Sequence, residues 1–139
     1  VKYLLDTNVI SELMKKEPNQ GVTHWIDVCD ESTLFLSVIT IGELQKGIDK
    51  LNDKHRVARL QTWVDQDLAR RFIGRILSVD LDVAVTWGRL QGSSEKRGIK
   101  LPVMDSLIAA TAIAHNLIVV TRNVFDLELC QAAVHNPWN

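Results

Sequence analysis

Four carboxylates and one amide stand where this chain changes from one kind of local pattern to another. Asp6 closes the run Leu4-Leu5-Asp6-Thr7-Asn8, and Glu43 lies in Thr40-Ile41-Gly42-Glu43-Leu44. Asp105 follows Pro102 in Pro102-Val103-Met104-Asp105-Ser106, while Asn123 and Asp126 belong to Thr121-Arg122-Asn123-Val124-Phe125-Asp126. Each has a local structural reading. Thr40-x-x-Glu43 spells a capping box, Asp105 sits where a helix dipole favours an anion, and Asp6 or Thr7 would cap a first helix. Taken together they ask for more than capping. Several carboxylates facing one crevice repel one another and are costly unless a cation sits among them. Oxygen donors of this kind suit Mg²⁺ or Mn²⁺, and the absence of His or Cys beside them disfavours Zn²⁺. His24, His55, His115 and His135 all lie outside these runs, so no Ser–His or Cys–His nucleophile is suggested.

The elements that must bring these residues together are legible in the hydropathy pattern. Four near-continuous apolar runs, Lys2–Leu5, Thr33–Ser37, Ile76–Val79 and Leu117–Thr121, read as strands covered on both faces, and Ala132–His135 is a weaker fifth. Between them lie helical patterns over Asn8–Lys15, Val22–Cys29, Ile41–Leu51, Lys54–Phe72, Asp82–Lys96 and Val103–His115, the last with Asn116 as its C-terminal cap. Strands separated by helices imply a mostly parallel sheet with right-handed crossovers, an α/β protein. In such sheets ligands collect outside the carboxyl ends of the strands. That rule predicts one crevice shared by Asp6, Glu43, Asp105 and Asn123 or Asp126.

The same residues carry a family resemblance. Tyr3-Leu4-Leu5-Asp6-Thr7-Asn8-Val9-Ile10-Ser11-Glu12-Leu13 resembles the opening motif of PIN-domain ribonucleases of the VapC toxin type. Ser37 to Leu44 with Gly47-Ile48, Pro102 to Ala110, and Val119 to Asn123 with Asp126-Leu127 resemble the second, third and fourth motifs, in order and spacing. The details are most similar to the FitB-like branch. The resemblance implies a three-layer α/β/α fold with four to five strands, and an Mg²⁺-dependent endoribonuclease in which Mn²⁺ can substitute. It implies Asp6, Glu43 and Asp105 as metal-binding and catalytic residues. At the fourth position, where many members have Asp, this chain has Asn123. Either its carbonyl oxygen serves, or Asp126 supplies the carboxylate, or Asp126 caps the following turn. Thr7, Asn8, Ser11 and Thr121 are candidates for orienting ligands or water. A carboxylate-held metal can activate water and offset phosphate charge, as phosphodiester hydrolysis requires. A small antitoxin protein and a homodimer are the implied partners, with Leu44, Ile48, Leu51, Val57, Leu60 and Val64 as candidates for the antitoxin groove.

Composition sets the outer limits. A chain of 139 residues, 46% hydrophobic and 24% charged, reads as one domain over residues 1–139 with a core of its own. Lys+Arg number 16 against 17 Asp+Glu, so the chain is no globally basic nucleic-acid binder, and RNA must be held by a local patch or through a metal. Arg89, Lys96, Arg97 and Lys100, just before the Asp105 motif, are the favoured patch. The stretch Lys46, Lys50, Lys54, His55, Arg56 and Arg59 reads instead as a solvated helix face. Trp25, Trp63 and Trp87 read as core or interface. Cys29 and Cys130 are expected to be reduced thiols in a cytoplasmic protein, and no apolar stretch reaches membrane-spanning length. The rival reading is a non-catalytic RNA-binding or protein-interaction domain whose site is degraded at Asn123. An Asp-phosphorylated phosphatase or receiver fits poorly, because position 8 is Asn and position 5 is Leu.

Overall fold

The computed structural model describes residues 1–139. The chain runs through β1 (Tyr3–Leu5), α1 (Thr7–Leu13), α2 (Gln20–Val28), β2 (Leu34–Ser37), α3 (Val38–Asp49), α4 (Lys54–Thr62), α5 (Ala69–Arg71) and β3 (Ile76–Leu77). It continues through α6 (Leu81–Lys96), α7 (Val103–His115), β4 (Ile118–Val120), α8 (Val124–Leu129) and β5 (Val134–His135). The strand order is β3-β2-β1-β4-β5 and every pair is parallel. Strands one to three step outward on one side of β1, and the chain then returns to add β4 and β5 on the other. The order therefore reverses between β1 and β4, which is where an open parallel sheet gathers its ligand.

Successive strand residues point to opposite faces, and here both faces are buried. Leu4 and Val119 join one core with Val83, Leu101, Ile108 and Leu127 from α6, α7 and their neighbours. Leu5 and Val120 join the other with Val9, Ile26, Leu44 and Leu68 from the earlier helices. The result is the expected three-layer α/β/α arrangement. It explains why the strands read as apolar runs without alternation.

Three local features depart from the sequence expectation. First, α3 begins at Val38, because Ser37 Oγ accepts the Ile39 N–H at 3.0 Å and caps the helix three residues earlier than the β-branched run suggests. Glu43 is thus in the second turn, and the Thr40–Glu43 capping box does not form. Second, the predicted helix 54–72 is one rod, but Trp63–Leu68 is a π-helical stretch between α4 and α5. Leu60, Val64, Leu68 and Phe72 recur every fourth residue. At 100° per residue that spacing drifts by about 40° per turn, and a wider turn keeps the row facing the core. Third, α8 was unmarked in the sequence pattern. It is only six residues long, with Leu127 its one buried side chain. Asn116 does cap α7 in the left-handed conformation, at φ 57° and ψ 49°. Both cysteines are free thiols.

Candidate active site

Asp6 leaves β1 at the switch point and is 5% exposed. Its Oδ1 accepts the Thr7 N–H at 2.8 Å, which starts α1, so the same carboxylate caps a helix and faces the crevice. Its Oδ2 accepts the Thr121 hydroxyl at 2.8 Å and the Asn8 amide at 3.4 Å. Burial raises the Asp6 carboxyl above its ordinary value. Hydrogen bonds from Thr121 and Thr7 oppose that, and the charge of Glu43 adds to it.

Thr121, fully buried at the end of β4, is the hub of this corner. Besides donating to Asp6 it accepts from Asn8 Nδ2 at 3.2 Å and from the Asn123 N–H at 2.9 Å. It thereby ties the loops after β1 and β4 together. Across the crevice, Glu43 Oε1 accepts the Thr7 hydroxyl at 2.6 Å, and that hydroxyl lies 3.1 Å from the buried Thr40 hydroxyl. Thr7 thus fixes Glu43 from α1, and Thr40 fixes Thr7 from the first turn of α3.

Asp105 stands in the first turn of α7, half-buried. Burial, then the charges of Asp6, Asp126 and Glu43, push its carboxyl up to about 6. Ser106 beside it anchors the turn: its Oγ accepts Trp87 Nε1 at 3.0 Å and Gln91 Nε2 at 2.9 Å, and donates to the Val103 carbonyl at 2.7 Å. Asn123 presents its amide nitrogen to Asp105 Oδ2, at 3.3 Å. The carbonyl oxygen expected to act as a ligand is therefore not the atom turned toward Asp105. Asn123 Nδ2 donates to that carboxylate. Asp126 lies in the first turn of α8, close enough for its charge to raise Asp105 and the buried Cys130 thiol, but outside the lining of the crevice.

The crevice itself, about 400 Å³, brings together Asp6, Thr7, Asn8, Ser11, Glu43, Asp105 and Asn123. No Lys, Arg or His nitrogen comes within 4.0 Å of the Asp6, Glu43 or Asp105 carboxylates. Their charge is left for a cation from outside, and all the donors offered are oxygens. The residues present fit a hard divalent ion, although they form no preassembled cage: no three acidic groups are drawn together tightly enough to define one.

The basic patch favoured from the sequence lies apart from the crevice. Arg89, Lys96, Arg97 and Lys100 are exposed and line neither the crevice nor the groove beside it. Val83, Leu90 and Ser94 take the inward face of α6, which turns Arg89 and Lys96 away. The cations at the crevice are Lys15 and Arg122. An adjoining groove of about 750 Å³ shares Ser11, Lys15 and Glu43 with it and is rimmed by Lys16, His55, Arg56 and Arg59. Leu44, Ile48, Leu51 and Leu60 line that groove with Met14, whereas Val57 and Val64 do not. The sequence reading missed Lys15, Arg122 and Trp138. Only Arg122 left a signal, by its place directly after β4.

A parallel α/β/α sheet with oxygen-only acidic residues at its switch point defines the class of protein at hand. Residues 3–130 match the family of the PIN domain. The chain is 37% identical over 135 residues to the VapC ribonuclease Y4jK of Sinorhizobium fredii, covering 97% of this chain and 96% of that one. It is 36% identical over 136 residues to toxin FitB of Neisseria gonorrhoeae, covering 98% of each. The crystal structure of FitAcB from Neisseria gonorrhoeae superposes with a TM-score of 0.91 at 36% identity, over 99% of both chains. The chain belongs to the PIN-domain family.

Proposed function

We propose that this chain is the toxin of a toxin–antitoxin pair, an endoribonuclease of the VapC and FitB kind that hydrolyses RNA phosphodiesters with Mg²⁺. The observation that carries this reading is the set of Asp6, Glu43 and Asp105 at the carboxyl edge of the sheet with no basic nitrogen within 4.0 Å of their carboxylates. The relatives named VapC ribonuclease and toxin FitB support it. Asp6, Glu43 and Asp105 would hold the ion, which when bound lowers the pKa of water and offsets phosphate charge. Thr7, Thr121 and Asn123 hold those three carboxylates in place, and one of the three orients the attacking water or takes its proton. Lys15 and Arg122 attract the RNA backbone to a site that would otherwise repel it.

The groove shared with the crevice through Ser11, Lys15 and Glu43 suits an antitoxin segment with apolar side chains for Leu44, Ile48, Leu51 and Leu60. A segment seated there blocks entry to the acidic site. We place the protein in the cytoplasm, where its RNA is, as a homodimer. No helix is long and apolar enough to cross a membrane.

The test is cleavage of RNA by purified protein with Mg²⁺ or Mn²⁺ and with chelator. The expected products carry 5′-phosphate and 3′-hydroxyl ends, since water rather than the ribose 2′-hydroxyl is the nucleophile. Cyclic 2′,3′-phosphate ends, or full activity in EDTA, overturn the mechanism.

A further inference from the structure

Both cations of the crevice are tied to one indole. Trp138 lines the crevice together with Lys15 and Arg122, and it packs against the core that contains Leu5 and Val9. Its Nε1 donates to Glu12 Oε1 at 3.4 Å, and Glu12, 6% exposed, accepts from Lys15 Nζ at 2.9 Å. The Arg122 guanidinium carbon lies over the same ring, 5.8 Å from its centre, within the range of a cation–π contact. The indole is fixed in turn by its neighbours in the chain. The Asn139 N–H donates to Asn19 Oδ1 at 3.3 Å, Asn19 Nδ2 donates to the Asn139 carbonyl at 3.2 Å, and the Gly21 N–H donates to Asn139 Oδ1 at 3.3 Å. The Pro137 carbonyl passes so near Gly21 that a Cβ there would meet it at 2.5 Å, so glycine is what admits the segment.

The ring is the one partner that the Arg122 side chain has. Its backbone N–H donates to Asn8 Oδ1 at 3.4 Å, but the exposed guanidinium forms no ion pair and donates no hydrogen bond within the chain. Arg122 follows Thr121, which donates to Asp6, and precedes Asn123, which donates to Asp105. A cation at that place adjoins the acidic site without being spent on it. Contact with an aromatic face leaves the in-plane N–H donors of a guanidinium free, and their fork matches two phosphate oxygens. A side chain already held in place also loses less freedom when it takes up a ligand.

Building on the ribonuclease reading above, we propose that Trp138 is a positioning residue, whose ring holds the Arg122 guanidinium at the crevice as the receptor for an RNA phosphate beside the scissile bond. Trp138 acts through Arg122 and touches no RNA itself. It lies beyond residues 3–130, the extent of the family match.

The experiment is a double-mutant cycle. Dissociation constants for a labelled single-stranded RNA of defined sequence are measured with Mg²⁺ in the Asp6→Asn protein, which keeps the RNA uncut, and in the same protein carrying Trp138→Leu, Arg122→Gln or both. Arg122→Gln is expected to weaken binding about tenfold and to lower the salt dependence by about one phosphate contact. Trp138→Leu is expected to weaken binding about threefold, and Trp138→Phe less, since a ring remains under the cation. The double variant should bind as Arg122→Gln does, because the ring has nothing left to hold. With Asp6 intact, Trp138→Leu should cleave at saturating protein within about twofold of the wild-type rate. Where Trp138→Leu fails to fold, Gly21→Ala takes its place: its Cβ displaces Pro137 and the indole with it, and its effect should likewise vanish beside Arg122→Gln. Unchanged binding in Arg122→Gln overturns the proposal, as does a ring variant whose effect persists in full without Arg122. A Trp138→Leu protein with a tenfold lower saturating rate also overturns it, since the indole would then serve the metal site. Wild-type protein that cuts no RNA under any metal overturns the ribonuclease reading, and a coupled cycle would still show that Trp138 holds Arg122 for phosphate.

Discussion

Carboxylates at the two ends of this sheet are treated in opposite ways. Glu31, in the turn before β2, receives Arg71 Nε at 3.3 and 3.2 Å, Arg71 Nη2 at 3.0 Å and Arg75 Nη2 at 3.1 Å. Partial burial works against its charge, but the Arg71 and Arg75 hydrogen bonds prevail and hold its carboxyl below the ordinary value. At the carboxyl edge, Asp6 is pushed upward by burial and by Glu43, and Asp105 by burial and then by Asp6, Asp126 and Glu43, with no basic nitrogen within 4.0 Å of either. The first arrangement is satisfied within the chain. The second is complete only when a cation arrives. Perturbed carboxylates that a protein leaves uncompensated in a cleft mark a functional site, whereas paired ones mark a joint.

The largest expected contrast is in activity. Asp6→Asn and Asp105→Asn should each lower the cleavage rate by at least about 100-fold, because each removes charge from the site that activates water. Glu31→Gln should leave the rate per folded molecule within about twofold. Single-turnover cleavage of a labelled RNA with saturating Mg²⁺ gives both numbers. An Asp105→Asn enzyme above a tenth of wild-type rate takes that residue off the catalytic list.

Next is stability and its dependence on metal and pH. The Asp105 carboxyl, at about 6 in the folded chain, lies above its ordinary 3.8. Ionising it is therefore harder when folded. Its contribution to stability is fully present below about pH 4 and is lost as pH rises through 6. Metal-free Asp105→Asn should accordingly melt as high as wild type or higher at pH 8, with the gap closing at pH 4. Added Mg²⁺ should reverse the order, stabilising wild type by about 2.7 kcal/mol at a hundred times its dissociation constant and the variant far less. Thermal melts across pH, with and without Mg²⁺, decide it. A variant less stable than wild type in chelator at pH 8 would make Asp105 a helix-dipole partner.

How much of this was legible in the sequence depended on whether a residue acts through its own element or through one distant in the chain. The strands around Leu4-Leu5 and Val119-Val120 announced themselves because both faces are buried, and α7 because Pro102 and Asn116 bound it chemically. Asp6, Glu43 and Asp105 followed from the parallel topology. What the pattern hid was set by contacts across the chain. Ser37 caps α3 although Val38 and Ile39 look like strand, and the Asn123 amide turns its nitrogen to Asp105, 18 residues away. His55, Arg56 and Arg59 read as a solvated face, because nothing local says that α4 packs beside α3 to rim a groove.

A joint should weaken the fold when broken and leave the chemistry alone. Arg75 is the stricter test, since its side chain is only 16% exposed. Its Nη1 donates to the Glu31 and Leu34 carbonyls at 2.6 Å each, and its Nη2 to the Arg71 carbonyl at the end of α5. Arg75→Gln leaves those acceptors without a charged donor and should cost about 2 kcal/mol. The urea midpoint should fall while cleavage per folded molecule holds. A loss of cleavage at unchanged stability would mean that the two ends of the sheet are coupled.

The smallest effect tests the same joint from its acidic side. The Glu31 side chain is 46% exposed, so water screens its pairs and Glu31→Gln should cost about 0.5 kcal/mol near neutrality. The sign with pH is opposite to that of Asp105. A carboxyl held below its ordinary 4.5 stabilises the fold above that pH, and the contribution is lost as pH falls through the lower folded value. Wild type and Glu31→Gln should therefore differ in denaturant midpoint at pH 7 and converge toward pH 3. Raising the salt concentration should shrink the pH 7 gap, because the pairs are open to solvent. A gap that survives both acid and salt would trace to hydrogen bonds that a neutral carboxyl can also accept. Arg71 and Arg75 would then be holding the turn by geometry, and the contrast with the acidic crevice would no longer rest on charge.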